Sequence, residues 1–116
     1  MYAEEADWCW RMQRAGWPFY CVPAARVVHH SGGSTRQFRA RSFLNLWRSR
    51  RRLYARFYGP VRRWAASLIV RAGMSAEARR ARTLAARGGI GPDELREREE
   101  AIRQVREMFR AGIRET

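Results

Sequence analysis

Residues 4–35 read Glu4-Glu5-Ala6-Asp7-Trp8-Cys9-Trp10-Arg11-Met12-Gln13-Arg14-Ala15-Gly16-Trp17-Pro18-Phe19-Tyr20-Cys21-Val22-Pro23-Ala24-Ala25-Arg26-Val27-Val28-His29-His30-Ser31-Gly32-Gly33-Ser34-Thr35. This stretch decides the expected fold class. Residues 4–15 read as a short helix. Three acids crowd its first turn, where the helix dipole favours negative charge. Asp7 and Arg11 have the i,i+4 spacing of a surface ion pair. Trp8, Met12 and Ala15 form one apolar stripe, which places Trp8 in the expected core, and Gly16 is placed to end the helix. Trp17 to Val22 is aromatic and β-favouring, with Pro18 near its start as on an edge strand and Pro23 closing it. Arg26 to His29 reads as a second short strand, and Ser31-Gly32-Gly33-Ser34 as a loop.

Downstream the pattern is helical. Phe43, Leu46, Trp47, Leu53, Tyr54, Phe57 and Tyr58 give an apolar face across residues 39–58, with arginines between them. Gly59-Pro60 breaks it. Val61, Trp64, Ala65, Leu68, Ile69 and Ala72 then recur at helical spacing with Arg62, Arg63 and Arg71 off the face, so this stripe is expected to bury. Residues 76–87 are rich in Ala and Arg and read as helical. Gly88 to Pro92 is a turn, and residues 93–111 form a last helix with Leu95, Ile102, Val105 and Phe109 on one side. The expected organisation is a segment at 1–38, Arg-rich helices at 39–87 and a C-terminal helix at 88–116.

The chain has 116 residues, enough for one small domain or part of a larger one. Its net charge is +13, and all 24 basic residues are Arg. Residues 1–35 balance three acids with three arginines, residues 36–87 hold fifteen arginines against Glu77 alone, and residues 88–116 hold six arginines against seven acids. Such a block favours an anionic partner. Three readings follow: a solvated face whose apolar side packs on a catalytic domain, docking on anionic lipid, and nucleic-acid binding. No helix-turn-helix, zinc-finger or RNA-binding signature supports the last. Cys9 and Cys21 are expected as reduced thiols in a cytoplasmic protein, and no apolar run approaches the length of a membrane span. Cys9, Cys21, His29 and His30 lack the short Cys-x-x-Cys hook of a zinc site.

Glu4 to Arg11 resembles the acidic-acidic-x-Asp-(Leu/Trp)-x-x-Arg motif of the bacterial family 2 glycosyltransferases, the rhamnosyltransferase-like members above all. Ala15-Gly16-Trp17 resembles their x-Gly-aromatic turn, and Pro23 to His29 their Pro-x-Ala-x-Val-x-His strand. His30 to Thr35 matches their Gly-Gly loop loosely, and residues 45–59 resemble their Ser-Arg-x-x-(Phe/Tyr)…Tyr-Gly helix. The resemblance covers about the first half of the chain. It implies a C-terminal fragment of the α/β nucleotide-diphospho-sugar transferase (GT-A) fold, mostly helical here with two short strands. The expected reaction moves a sugar from a nucleotide-sugar donor to a saccharide or lipid-linked acceptor, with inversion.

In that reaction a carboxylate takes the proton of the acceptor hydroxyl as its oxygen attacks the anomeric carbon. The resemblance assigns the base to the second acid of the pair, Glu5. Asp is frequent there, and the longer Glu leaves open whether Glu5 or Glu4 turns inward. A single base with no covalent partner implies one displacement. Asp7, Trp10 and Arg11 are the candidate substrate-binding residues of the motif. For Asp7, pairing with Arg11 or with free N–H groups at the helix start is explanation enough. Trp10 lies off the Trp8–Met12 stripe and is left open between packing and stacking on a sugar ring. His29 is the candidate ligand for a divalent Mg or Mn ion, its alternative being a hydrogen bond to a neighbouring loop.

The family's Asp-x-Asp metal motif is missing, since the chain's aspartates are Asp7 and Asp93 alone, and so are alternating strand-helix units. The motif follows almost directly on Met1, so the chain is expected to be the tail of a longer or split transferase and inactive alone. A cytoplasmic placement, peripheral at the inner face of the cell membrane, is the expected location. The competing function is a stand-alone basic helical module that binds nucleic acid or an anionic membrane surface.

Overall fold

The computed structural model describes residues 4–28 and 39–113. They form four helices: α1 (Glu4–Arg14), α2 (Arg39–Phe57), α3 (Pro60–Ala86) and α4 (Pro92–Met108). No strand occurs among the described residues. The expected α/β (GT-A) architecture is therefore not the one this chain adopts. Trp17 to Val28 runs over the surface with every residue exposed, Tyr20 at 83% and Val27 at 89%. The physical reason is pairing. A strand is stable only when its backbone N–H and C=O groups meet a neighbouring strand, and β-favouring side chains cannot substitute for that neighbour. Ala25 N–H instead donates to Val22 C=O at 3.0 Å, closing a turn around Pro23-Ala24. His29 and the Gly32-Gly33 loop lie outside the described residues.

The core is helical. Ala55 of α2, Val70 and Met74 of α3, Ile102 and Val105 of α4, and Phe109 and Ile113 beyond α4 make one buried cluster. Val105 and Phe109 are wholly buried. Phe43, Leu44, Trp47 and Tyr54 of α2 pack on it, with Trp47 meeting Phe109 edge-on at 6.0 Å between ring centroids. The expected α4 stripe is the observed one, apart from Leu95, which is half-buried.

The turns follow from glycine and proline. Both α3 and α4 start with a Gly-Pro pair: Gly59 and Gly91 are the N-cap residues, and the prolines that follow lose no helix hydrogen bond in the first turn. α3 ends at Gly88, whose φ is +72°, with Gly88 N–H donating to Ala85 C=O and Gly89 N–H to Leu84 C=O, both at 2.9 Å. This is a Schellman closure, and the short connection folds α4 back along α3. Arg82 then reaches Glu99 across the pair at 2.6 Å.

α3 differs from its expected form in two ways. It is one helix through Gly73, where two had been expected, because the buried neighbour Met74 and the flanking helix formers outweigh the roughly 1 kcal/mol that glycine costs. More consequentially, its buried side is Ser67, Val70, Met74 and Ala81. The stripe expected to bury is on the outside: Val61 is 77% exposed, Trp64 65% and Ile69 70%. The first half of α3 is apolar on both sides, and sequence periodicity alone does not choose between them.

The radius of gyration is 17.2 Å, against about 13 Å for a compact domain of this length. The helical unit is thus extended, with α1 attached to one end of α2. No helix among the described residues is long and apolar enough to cross a membrane.

Candidate functional site

α1 carries the acidic motif. Glu4, Glu5 and Asp7 sit in its first turn and Arg11 and Arg14 in its last, the arrangement its dipole favours. Its end is closed by Gly16 at φ +82°, with Trp17 N–H donating to Met12 C=O at 3.0 Å and Gly16 N–H to Gln13 C=O at 3.1 Å. At eleven residues, this helix is shorter than those that hold by themselves in water. It therefore depends on what it touches.

It touches α2 through residues of the motif. Asp7 is half-buried and accepts two hydrogen bonds, from Arg11 Nε at 2.9 Å and from Arg56 Nη1 at 3.0 Å. The Arg11 pair is the expected one, while the Arg56 pair spans 49 residues of sequence and had no local signal. Trp10 lies against Phe57 with centroids 4.4 Å apart and edge-on to Tyr58 at 6.0 Å. Arg56 also lies over the Phe57 ring at 5.6 Å. Trp10 is therefore the packing tryptophan of α1, and Trp8, expected in the core, is 56% exposed. The register of the helix explains the exchange. Asp7, Trp10 and Arg11 share the side facing α2, and Glu5, Trp8 and Met12, spaced i, i+3, i+7, share the opposite side.

Glu4 and Glu5 are both exposed. The carboxyl of Glu4 is held below its ordinary value, chiefly by a hydrogen bond from its own backbone N–H. Glu5 stands on the outer side of α1, next to Trp8 and away from α2.

Sequence reasoning missed an aromatic groove where α1, α2 and α3 meet. Trp10, Tyr54, Tyr58, Arg62 and Ile69 line an open volume of 530 Å³. Tyr54 and Tyr58 stack at 4.9 Å with planes 13° apart. Their i,i+4 spacing was visible in sequence, but the approach of Trp10 was not.

Cys9 and Cys21 are free thiols. Among the described residues no three His, Cys, Asp or Glu side chains come together, so these residues offer no donor set for Mg or Mn. His29 lies outside the described residues. Comparison with protein-family models, with curated proteins and with solved structures yields no match to this chain.

Proposed function

We propose that this chain supplies the acceptor side of an inverting sugar transfer, with Glu5 as the general base. One observation carries the reading. Two of the stretches that resemble the family 2 transferases, residues 4–11 and 45–59, meet through Asp7–Arg56 and Trp10–Phe57, and this contact turns Glu5 outward. A base must be held in place yet reachable by substrate. A helix fastened along one side and carrying its carboxylate on the other meets both needs.

In the proposed step the acceptor ring lies over the outer side of α1, its apolar face against Trp8. Glu5 takes the hydroxyl proton while the acceptor oxygen forms its bond to the anomeric carbon. The bond to the nucleoside diphosphate breaks from the opposite face, and the diphosphate leaves with the electron pair. The sugar carbon is inverted. Asp7, Trp10 and Arg11 position the helix. The nucleotide-sugar and most ligands of the divalent ion expected with it fall to residues beyond this sequence, since the chain has no Asp-x-Asp pair, and His29 is the ligand proposed from this chain. A cytoplasmic location at the inner face of the membrane belongs to the same proposal.

The test is immunopurification from the source cells with an antibody to residues 93–111. The material is then given nucleotide-sugar donors labelled in the sugar. The proposal expects either a band well above 13.6 kDa or a tightly associated second polypeptide, and label transferred with inverted anomeric configuration. A lone band at 13.6 kDa that neither recruits a donor-binding partner nor transfers label would overturn it.

A further inference from the structure

The proposed transfer leaves the outer side of α3 unused. Val61, Trp64 and Ile69 are more than three-fifths exposed and Leu68 is 43% exposed, all along the first half of one helix whose other side is already buried in the core. Ala72 continues the stripe on the exposed side. A soluble helix spends its apolar residues on one face, so a second apolar face on the same turns calls for a second partner.

The edges of the stripe indicate which partner. By helical spacing Arg62 borders it on the side of Ile69 and Arg71 on the side of Trp64. Neither side chain makes an ion pair among the described residues. Beside Trp64 and Leu68 a cleft of 410 Å³ is edged by Arg71 and Arg110. Glu107 on α4 is paired with Arg110 at 3.7 Å. Across residues 36–87 the one acid is Glu77, and it faces Arg80. An apolar stripe with a tryptophan, arginine on both flanks and no acid between them matches the layers of an anionic bilayer: acyl boundary in the middle, phosphates on either side.

We infer that the outer side of α3 docks in the plane of an anionic lipid bilayer, with Val61, Trp64, Leu68 and Ile69 entering the acyl boundary and Arg62 and Arg71 taking headgroup phosphates. The inference deepens the peripheral-membrane placement proposed above, and it stands independently of the transfer chemistry. A second copy of the chain is the poorer occupant. Two such faces would bring Arg62 and Arg71 against their own kind, with no acid to offset them. A span is excluded for α3, which is not apolar enough to cross a membrane.

The experiment uses the full chain and flotation with two kinds of vesicle, phosphatidylcholine alone and phosphatidylcholine mixed with phosphatidylglycerol. The chain is expected to float with the anionic vesicles and not with the neutral ones. In Trp64→Ser/Leu68→Ser both positions are exposed, so far-UV circular dichroism should be unchanged. Its affinity should fall on the order of a hundredfold. Arg62→Gln/Arg71→Gln should weaken binding and flatten its salt dependence. Glu5→Gln should bind vesicles as the parent does, so failure here and failure of the transferase reading are separable. Three results would each overturn the inference: no binding to anionic vesicles; equal binding by the Trp64/Leu68 variant; or, without vesicle binding, either self-association that the variant abolishes or salt-sensitive binding to duplex DNA.

Discussion

Replacing Trp10 with alanine tests whether α1 is held in place by α2. The ring has two aromatic neighbours, Phe57 at 4.4 Å and Tyr58 at 6.0 Å. Such pairs contribute about 0.5–1.5 kcal/mol each beyond their area. The Asp7–Arg56 pair is partly solvated, with side chains 25% and 57% exposed, which limits it to about 0.2–1 kcal/mol. The helix has no buried residue and is too short to persist alone, so these contacts set its opening free energy at roughly 2 kcal/mol. Trp10→Ala should remove somewhat more than half of that, about 1.4 kcal/mol, a tenfold loss of amide protection across residues 8–14. Hydrogen exchange read by mass spectrometry reports this locally. Amides of α3 and α4 should keep their protection, because their core of Val70, Ile102, Val105 and Phe109 does not include Trp10. A double-mutant cycle with Asp7→Asn and Arg56→Gln should give a coupling within the range above for a partly solvated pair. Unchanged α1 protection in Trp10→Ala would refute the reasoning, and so would an equal loss in α4.

Three further outcomes follow from the packing and charge. Phe109→Ala empties a wholly buried site beside Trp47 and should cost about 3–5 kcal/mol, lowering Tm by roughly 15 °C or more in a thermal melt. Gly73→Ala falls in open space within α3, where an added Cβ meets nothing within 4 Å, and should raise Tm by roughly 4 °C through about 1 kcal/mol of helix propensity. Glu100 is held below its ordinary value, first by the Arg103 hydrogen bond and next by that from Gln104. Its folded pKa therefore lies under the unfolded one, so its contribution is complete above the unfolded value of 4.5 and is lost as pH falls through the lower folded value. A melting series across that window should show a step that Glu100→Gln removes.

The C-terminal half was the most legible part of the sequence. Leu95, Ile102, Val105 and Phe109 lie on a single apolar side of α4, and Gly-Pro pairs mark where α3 and α4 begin. In α3, Val61–Trp64–Leu68 and Val70–Met74–Ala81 are both helical stripes, and only the position of α4 decides which of them it covers. Residues 17–22 and 26–28 were misread because strand preference in Trp17, Tyr20, Val27 and Val28 describes a surface that fits a sheet, without supplying one. In α1, the ends of the helix and the Asp7–Arg11 pair were readable from spacing. The packing side was not, since Arg56 and Phe57 are far away in sequence. Glu5 as base came from the resemblance alone, and the structure adds its exposure on the side of α1 opposite Trp10.

The most direct measurement of that proposed role is turnover by Glu5→Gln in the material immunopurified from the source cells, alongside nucleotide-sugar affinity measured by calorimetry. If Glu5 takes the acceptor proton, transfer should fall by about 10²–10⁴-fold while donor affinity stays within roughly twofold. Transfer that proceeds at the parent rate in Glu5→Gln, with the fold intact by circular dichroism, would contradict the account.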